Sequence, residues 1–194
     1  KRLVGAQRSE HKLKIAEQLI SHVERKTTQS HEDGARFIPA KEYSDADLHK
    51  REYDFLKSIP MVICTSVEIS ERGSYKADEL LGLPIFIVRD EEGVVRAFLN
   101  TCPHRGAALC EGEGKFDRRI TCPYHSWTFE LDGTVAGFSQ PGHIGNLAKE
   151  EYSLIELPCE ERYGLVFGTL DPHAEFDLDD FLCGFGEVLE RLEL

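Results

Sequence analysis

The chain has 194 residues, 41% of them apolar and 30% charged, and its 23 basic and 35 acidic side chains give a net charge of −12. That length supports one sizeable core or a compact domain with an extension, and the composition excludes fibrous and collagen-like classes. The longest apolar stretch, residues 80–88, is broken by Gly82 and Pro84, so we expect no bilayer-spanning segment and no membrane partner; the acidic balance is the wrong sign for gripping phosphate backbones, which sets nucleic acid aside.

Residues 1–30 hold seven Lys/Arg against three Glu, a local +4, leaving −16 on the remainder. Leu13, Ala16, Leu19, Ile20 and Val23 recur at helical spacing, which predicts a surface helix over residues 9–26, capped by Ser9, in preference to a targeting peptide. Residues 27–36 read as a linker, and a second helix is expected from Ser44, paired with Asp47 in a capping box, up to Pro60. Beyond Pro60 short β-branched runs alternate with turn residues, predicting strands at 61–67, 85–89, 94–99, 127–131, 134–137, 154–157 and 165–170. Hairpin turns are expected at residues 90–93 and at Asp132-Gly133. Residues 176–194 read as one closing helix with an apolar face. The chain opens on Lys1 rather than Met, so we expect it to be part of a longer polypeptide.

Six dilute cysteines and no export signal favour a reducing compartment, the cytoplasm, over a disulfide framework. Cys64, Cys159 and Cys183 lie among apolar residues and read as small buried hydrophobes. Two others sit beside histidines, in Cys102-Pro103-His104-Arg105-Gly106 and Cys122-Pro123-Tyr124-His125-Ser126-Trp127. Each box offers one thiolate and one imidazole after a Pro-stiffened turn. Tetrahedral zinc takes such a donor set, but common zinc modules pair Cys with Cys and His with His, whereas in a Rieske-type 2Fe-2S cluster two His replace two Cys on one iron, and mixed loops deliver one Cys and one His each.

The two boxes resemble those of Rieske proteins, in the form found in the α subunits of Rieske non-haem iron ring-hydroxylating oxygenases. The likeness extends to Gly73-Ser74-Tyr75, Leu83-Pro84 to Arg89-Asp90, Ala97-Phe98-Leu99-Asn100, Trp127-Thr128-Phe129 with Asp132-Gly133, and Glu161-Arg162-Tyr163-Gly164. It implies a mainly β fold with flanking helices: a Rieske-type antiparallel β-sheet sandwich with two cluster-binding loops. It further implies an N-terminal helical extension over 1–59, the cluster domain over 60–172, and a helix over 173–194 leading toward a catalytic domain. By the same resemblance Cys102 and Cys122 bind one iron, and His104 and His125 the other. Arg105, Gly106, Tyr124 and Trp127 surround them, with Trp127 excluding water. Ser126 stands where the family usually has Gly, and a frequent Trp near Met61 is missing. Ala107 and Tyr124 occupy the positions of the extra cysteines in respiratory Rieske proteins, so no bridge joins the boxes and Cys110 reads as a free thiol.

Two thiolates in place of four leave the cluster formally neutral when oxidised and singly negative when reduced, which eases electron uptake. The resemblance implies electron transfer from a flavin-containing NAD(P)H reductase, a ferredoxin or both. The electrons pass to a mononuclear ferrous iron that hydroxylates an organic, aromatic or polycyclic substrate with dioxygen. It also implies a homotrimer, with or without β subunits. His11, His22, His31, His49, His143 and His173 never occur four or five apart, so we expect no second iron site here and electron transfer only from this chain. Two other readings stand beside this one: a stand-alone Rieske ferredoxin, and a zinc-held structural module.

Overall fold

The computed structural model describes residues 5–27, 37–139 and 149–192. The chain divides after His49 into two compact units. In the first, α1 (Gly5–Arg25) begins four residues before the expected Ser9 cap, and Leu13, Leu19, Ile20 and Val23 are exposed along it. Helix α2 (Ala46–Ser58) runs across the division. Its cap is Asp45 and not Ser44: Oδ1 of Asp45 accepts from the backbone N–H of Asp47 (3.0 Å) and Leu48 (2.9 Å). Ser44 is already engaged in a preceding 3-10 turn, donating to the Lys41 carbonyl at 3.3 Å. Most of the linker, residues 28–36, lies outside the described residues.

The second unit is built from strands β1 (Met61–Thr65), β2 (Ser74–Leu80), β3 (Leu83–Arg89), β4 (Val95–Leu99), β5 (Glu113–Lys115), β6 (Ile120–Thr121), β7 (Thr128–Phe129), β8 (Val135–Gly137), β9 (Glu156–Leu157), β10 (Cys159–Arg162) and β11 (Leu165–Gly168). They form three antiparallel sheets, ordered β1-β11-β10, β5-β2-β3-β4-β9 and β6-β7-β8. The central sheet organises the rest because β3 is buried on both faces, as its unbroken apolar run requires. Strand alternation sends Ile85 and Ile87 into a core with Ile63, Val95, Ala97 and Val166, against the β1-β11-β10 sheet. Phe86 and Val88 point the other way, into a core with Phe98, Ile120, Phe129 and the two box cysteines.

Arg89 ties the central sheet to the outer one. Its Nη1 and Nη2 donate to the Glu161 carboxylate at 2.9 and 2.7 Å, and its Nε to the Ile69 carbonyl at 2.7 Å, a forked geometry that only guanidinium supplies. This pairing gives two of the quoted motif positions a physical reason.

Both expected hairpin turns are present. Gly93 donates to the Asp90 carbonyl at 3.2 Å and Gly133 to the Glu130 carbonyl at 3.0 Å. Gly133 has φ +84°, and a Cβ there would lie 2.5 Å from the Phe98 ring, so the turn needs glycine for both conformation and space. Strands β2, β5, β6 and β10 are not among the expected ones; β2 and β10 are largely polar, and pairing with β3 and β11 specifies them instead, while β5 and β6 are only three and two residues long. The closing helix is two short ones, α3 (Leu178–Leu182) and α4 (Gly186–Glu190). Cys183 (φ 48°) and Gly184 (φ +87°) break it, with Cys183 N–H donating to the carbonyls of Asp179 and Asp180. Cys183 is therefore exposed, against the expectation of burial, whereas Cys64 is buried and Cys159 half-buried.

The expected strand at 61–67 ends at Thr65, the N-cap of a 3-10 turn (Ser66–Ile69), which is held in a capping box by Glu68. Its carboxylate accepts from Thr65 N–H (2.7 Å) and Oγ1 (2.8 Å) and pairs with Lys76 Nζ (2.5 Å). Lys76 first, then the two Thr65 donors, hold the Glu68 carboxyl down to about 2 from its usual 4.5. A depressed folded-state value stabilises above the unfolded value and is lost as pH falls from about 4.5 to about 2. With the side chain 27% exposed, we expect Glu68→Gln to cost about 1–2 kcal/mol at neutral pH after solvent screening, with the gap to wild type closing through that acid window in urea unfolding.

Candidate metal centre

The first box leaves the end of β4 and the second joins β6 to β7. Both make the same turn. Cys102 N–H donates to the Ala107 carbonyl and Gly106 N–H to the Cys102 carbonyl, each at 2.8 Å; Cys122 N–H donates to the Trp127 carbonyl (2.8 Å) and Ser126 N–H to the Cys122 carbonyl (3.0 Å). The fifth residue of each turn is left-handed, Gly106 at φ +72° and Ser126 at φ +54°. The family's usual Gly at the second position thus answers a conformational demand, and Ser126 meets it at a cost. Ser126→Gly should raise stability by about 0.5 kcal/mol, strain relief exceeding glycine's added unfolded-state freedom, and Ser126→Val should lower it; thermal unfolding reads both.

The repeated turn sorts the donors by depth. Cys102 and Cys122 are each 2% exposed, while His104 and His125 are half-buried toward the surface. The imidazole rings meet at 4.7 Å, inclined at 69°. Burial, and after it the adjacent Cys122 sulfur, push the Cys102 thiol up to about 11; backbone N–H groups of His104 and Arg105 oppose this by pointing at the sulfur, as they do at a thiolate ligand. His104 is held below its ordinary value by burial, then by His125 and Arg105, which favours the neutral, ligating imidazole. His125 Nδ1 is buried with no hydrogen-bond partner among the described residues, an arrangement that costs stability unless another atom fills it.

Thiol is therefore paired with thiol inside and imidazole with imidazole outside. This two-plus-two division, with an orphaned imidazole nitrogen and amides on a sulfur, fits a two-iron cluster, whereas structural zinc takes four donors around one centre.

Trp127, 3% exposed, stacks flat on His104 with centroids 4.7 Å apart and planes inclined at 7°. Behind it lie the rings of Phe138 at 4.4 Å and Tyr152 at 5.8 Å. Tyr124 is exposed and its ring lies 3.8 Å from that of His125, while Arg105 and Gly106 are exposed at the rim. Cys110 is half-buried and free, its thiol pushed up to about 12 by burial. Of the remaining histidines, His31, His143 and the His11 side chain lie outside the described residues. Sequence reasoning assigned no role to Ser139, whose Oγ donates to the His125 carbonyl at 2.5 Å, nor to Asn100, Phe138 and Tyr152. Their contacts cross too many residues to leave a spacing signal.

Residues 59–149 match the Rieske [2Fe-2S] domain family, and they are such a domain, with a 2Fe-2S cluster as its cofactor. The homologues are oxygenase subunits of Rieske non-haem iron mono- and dioxygenases. The chain is 40% identical over 156 residues to the carnitine monooxygenase oxygenase subunit of Escherichia coli K12, covering 79% of this chain and 41% of that protein. It is 29% identical to the biphenyl 2,3-dioxygenase subunit alpha of Rhodococcus jostii, covering 72% and 31%. The solved structure of a quaternary ammonium Rieske monooxygenase of gut microbiota superposes with a TM-score of 0.71 at 37% identity, covering 79% of this chain and 42% of that one. The chain thus spans about two fifths of the carnitine monooxygenase subunit.

Proposed function

We propose that Cys102 and Cys122 ligate one iron of the cluster and His104 and His125 the other through a ring nitrogen, and that the chain is the electron-transfer portion of an oxygenase subunit. The observation that carries this is the sorting of donors, thiols paired within and imidazoles paired without, with His125 Nδ1 left open. When bound, the cluster supplies reversible one-electron transfer. Cys102 and Cys122 place the thiolates in the apolar interior, under the amides of His104 and Arg105. The neutral imidazoles of His104 and His125, half-buried toward the surface, would hold the redox group on the side from which an electron could be exchanged. Trp127 excludes water from the His104 face; Gly106 permits the first turn, and Arg105 and Tyr124 form the rim.

In the complete protein we place a helical extension at 1–59, the cluster domain at 60–172, and residues 173–194 leading toward a domain holding the mononuclear iron. Electrons come from a flavin-containing NAD(P)H reductase, directly or through a ferredoxin. They cross to a neighbouring subunit of a homotrimer, a route supported by the inter-subunit electron transfer described for the similar quaternary ammonium monooxygenase. The two relatives represent two substrate classes, and the higher identity favours a quaternary ammonium compound over an aromatic one. No described helix is long and apolar enough to cross a membrane, which accords with a cytoplasmic site of action.

The test mixes the anaerobically purified chain with NADH and a flavin-containing reductase. We expect uptake of about one electron per chain, and no hydroxylated product when oxygen and a panel of carnitine-like and aromatic substrates are added. Failure to take up an electron, or product above a metal-stripped control, contradicts the proposal.

A further inference from the structure

The two boxes share an internal turn but are anchored differently. The second is closed from outside by a ladder: Ile120 pairs with Phe129 and Thr121 with Thr128, so β6 and β7 hold the ends of the loop together. Among the described residues no strand pairing closes the first, because β4 leaves to pair with β3 and β9 while β5 pairs with β2. One side chain stands in the gap. Asn100, 6% exposed, accepts through Oδ1 from the backbone N–H of Leu109 (2.8 Å) and of Cys110 (3.3 Å), and donates through Nδ2 to the Cys110 carbonyl (2.8 Å). These are the donors and the acceptor that a neighbouring strand would engage. Its own main chain is fixed, with N–H donating to the Pro84 carbonyl of β3 at 2.8 Å. The network sets the amide orientation, since a flipped amide would face N–H with N–H.

We propose that Asn100 is a positioning residue for the cluster: its amide replaces the absent ladder and closes the 100–110 loop, so that Cys102 and His104 face Cys122 and His125 at a fixed spacing. This rests on the ligand assignment above. The hydrogen bonds of Asn100 go to Leu109, Cys110 and Pro84, none of them a proposed ligand, so it acts on the ligands through the loop. Because the bonds converge on Leu109 and Cys110, opening them frees the whole return of the first box while the second stays closed by its strands. The effect is therefore expected on one iron's Cys102 and the other iron's His104 together.

The experiment compares Asn100→Ala, Asn100→Asp and Ile87→Ala with wild type in the 194-residue chain. The readouts are the electron paramagnetic resonance spectrum of the reduced cluster and the rate of iron release to a chelator. Asn100→Ala should broaden or shift the spectrum and release iron about tenfold faster or more, the scale of lost outer-shell support at metal sites. Asn100→Asp keeps the two acceptor bonds but sets a buried carboxylate oxygen against the Cys110 carbonyl, so it should change in the same direction as Asn100→Ala. Ile87→Ala, in the core on the far face of β3, should lose stability with a wild-type spectrum. If Asn100→Ala does not fold, Asn100→Asp carries the test alone. A wild-type spectrum and release rate in a folded Asn100 variant, or the same changes in Ile87→Ala, overturn the positioning role. A wild-type chain lacking iron and sulfide instead overturns the ligand assignment, so the two failures are told apart.

Discussion

Cys122→Ser should lose the cluster, while Cys64→Ser should keep it. Both cysteines are buried, at 2% and 4% exposure, so burial alone does not separate them. Their surroundings do. Cys122 shares a core with Cys102 and Trp127, and its sulfur lies beside that of Cys102, whereas Cys64 packs among Ile63, Ile85 and Val166 on the far side of the central sheet. The Cys64 thiol is pushed up to about 12 by burial and then by Glu68, the setting of an inert thiol. Cys64→Ser therefore costs only the burial of an underpartnered hydroxyl, about 1–3 kcal/mol. On the proposed assignment Cys122→Ser removes one of the two thiolates of one iron, and Cys102→Ser, His104→Ala and His125→Ala should do comparable damage. Iron and sulfide content with the visible spectrum decide the matter: a normal Rieske spectrum in Cys122→Ser would show that the assignment is wrong.

Phe86→Ala should destabilise the fold by about 3–5 kcal/mol and the cluster with it. Phe86 is fully buried, 5.3 Å from the Phe98 ring and 6.3 Å from that of Phe116, in the core that contains both box cysteines. Its neighbour Ile87 is equally buried but faces the opposite core, and Ile87→Ala should cost about 2–5 kcal/mol. Matched by urea unfolding, the two variants should diverge in iron retention: Phe86→Ala loses iron under conditions where Ile87→Ala holds it. Equal retention would mean that the two cores do not act separately on the site.

Much of this arrangement is legible in the sequence because its causes are local. The run of β3 is apolar enough to demand burial on both faces, and Asp132-Gly133 carries its own turn conformation. The boxes are legible because each Cys and His pair sits within one short turn of fixed geometry. What is illegible depends on distant partners. β2 is polar and specified by six residue pairs with β3. Trp127 meets His104 across 23 residues, and Asn100 reaches nine and ten residues ahead, separations at which no periodicity survives. The Ser44 cap fails because a 3-10 turn uses that hydroxyl first, and the single closing helix fails because Cys183 accepts a left-handed conformation ahead of Gly184. In both cases neighbouring residues offer competing local structure, and composition does not rank them.

The central claim is that two thiols and two imidazoles here hold a pair of irons bridged by sulfide. Iron, zinc and acid-labile sulfide measured together on one anaerobic preparation of the chain test it most directly. The account predicts about two irons and about two sulfides per chain with negligible zinc; about one zinc per chain with no sulfide would contradict it.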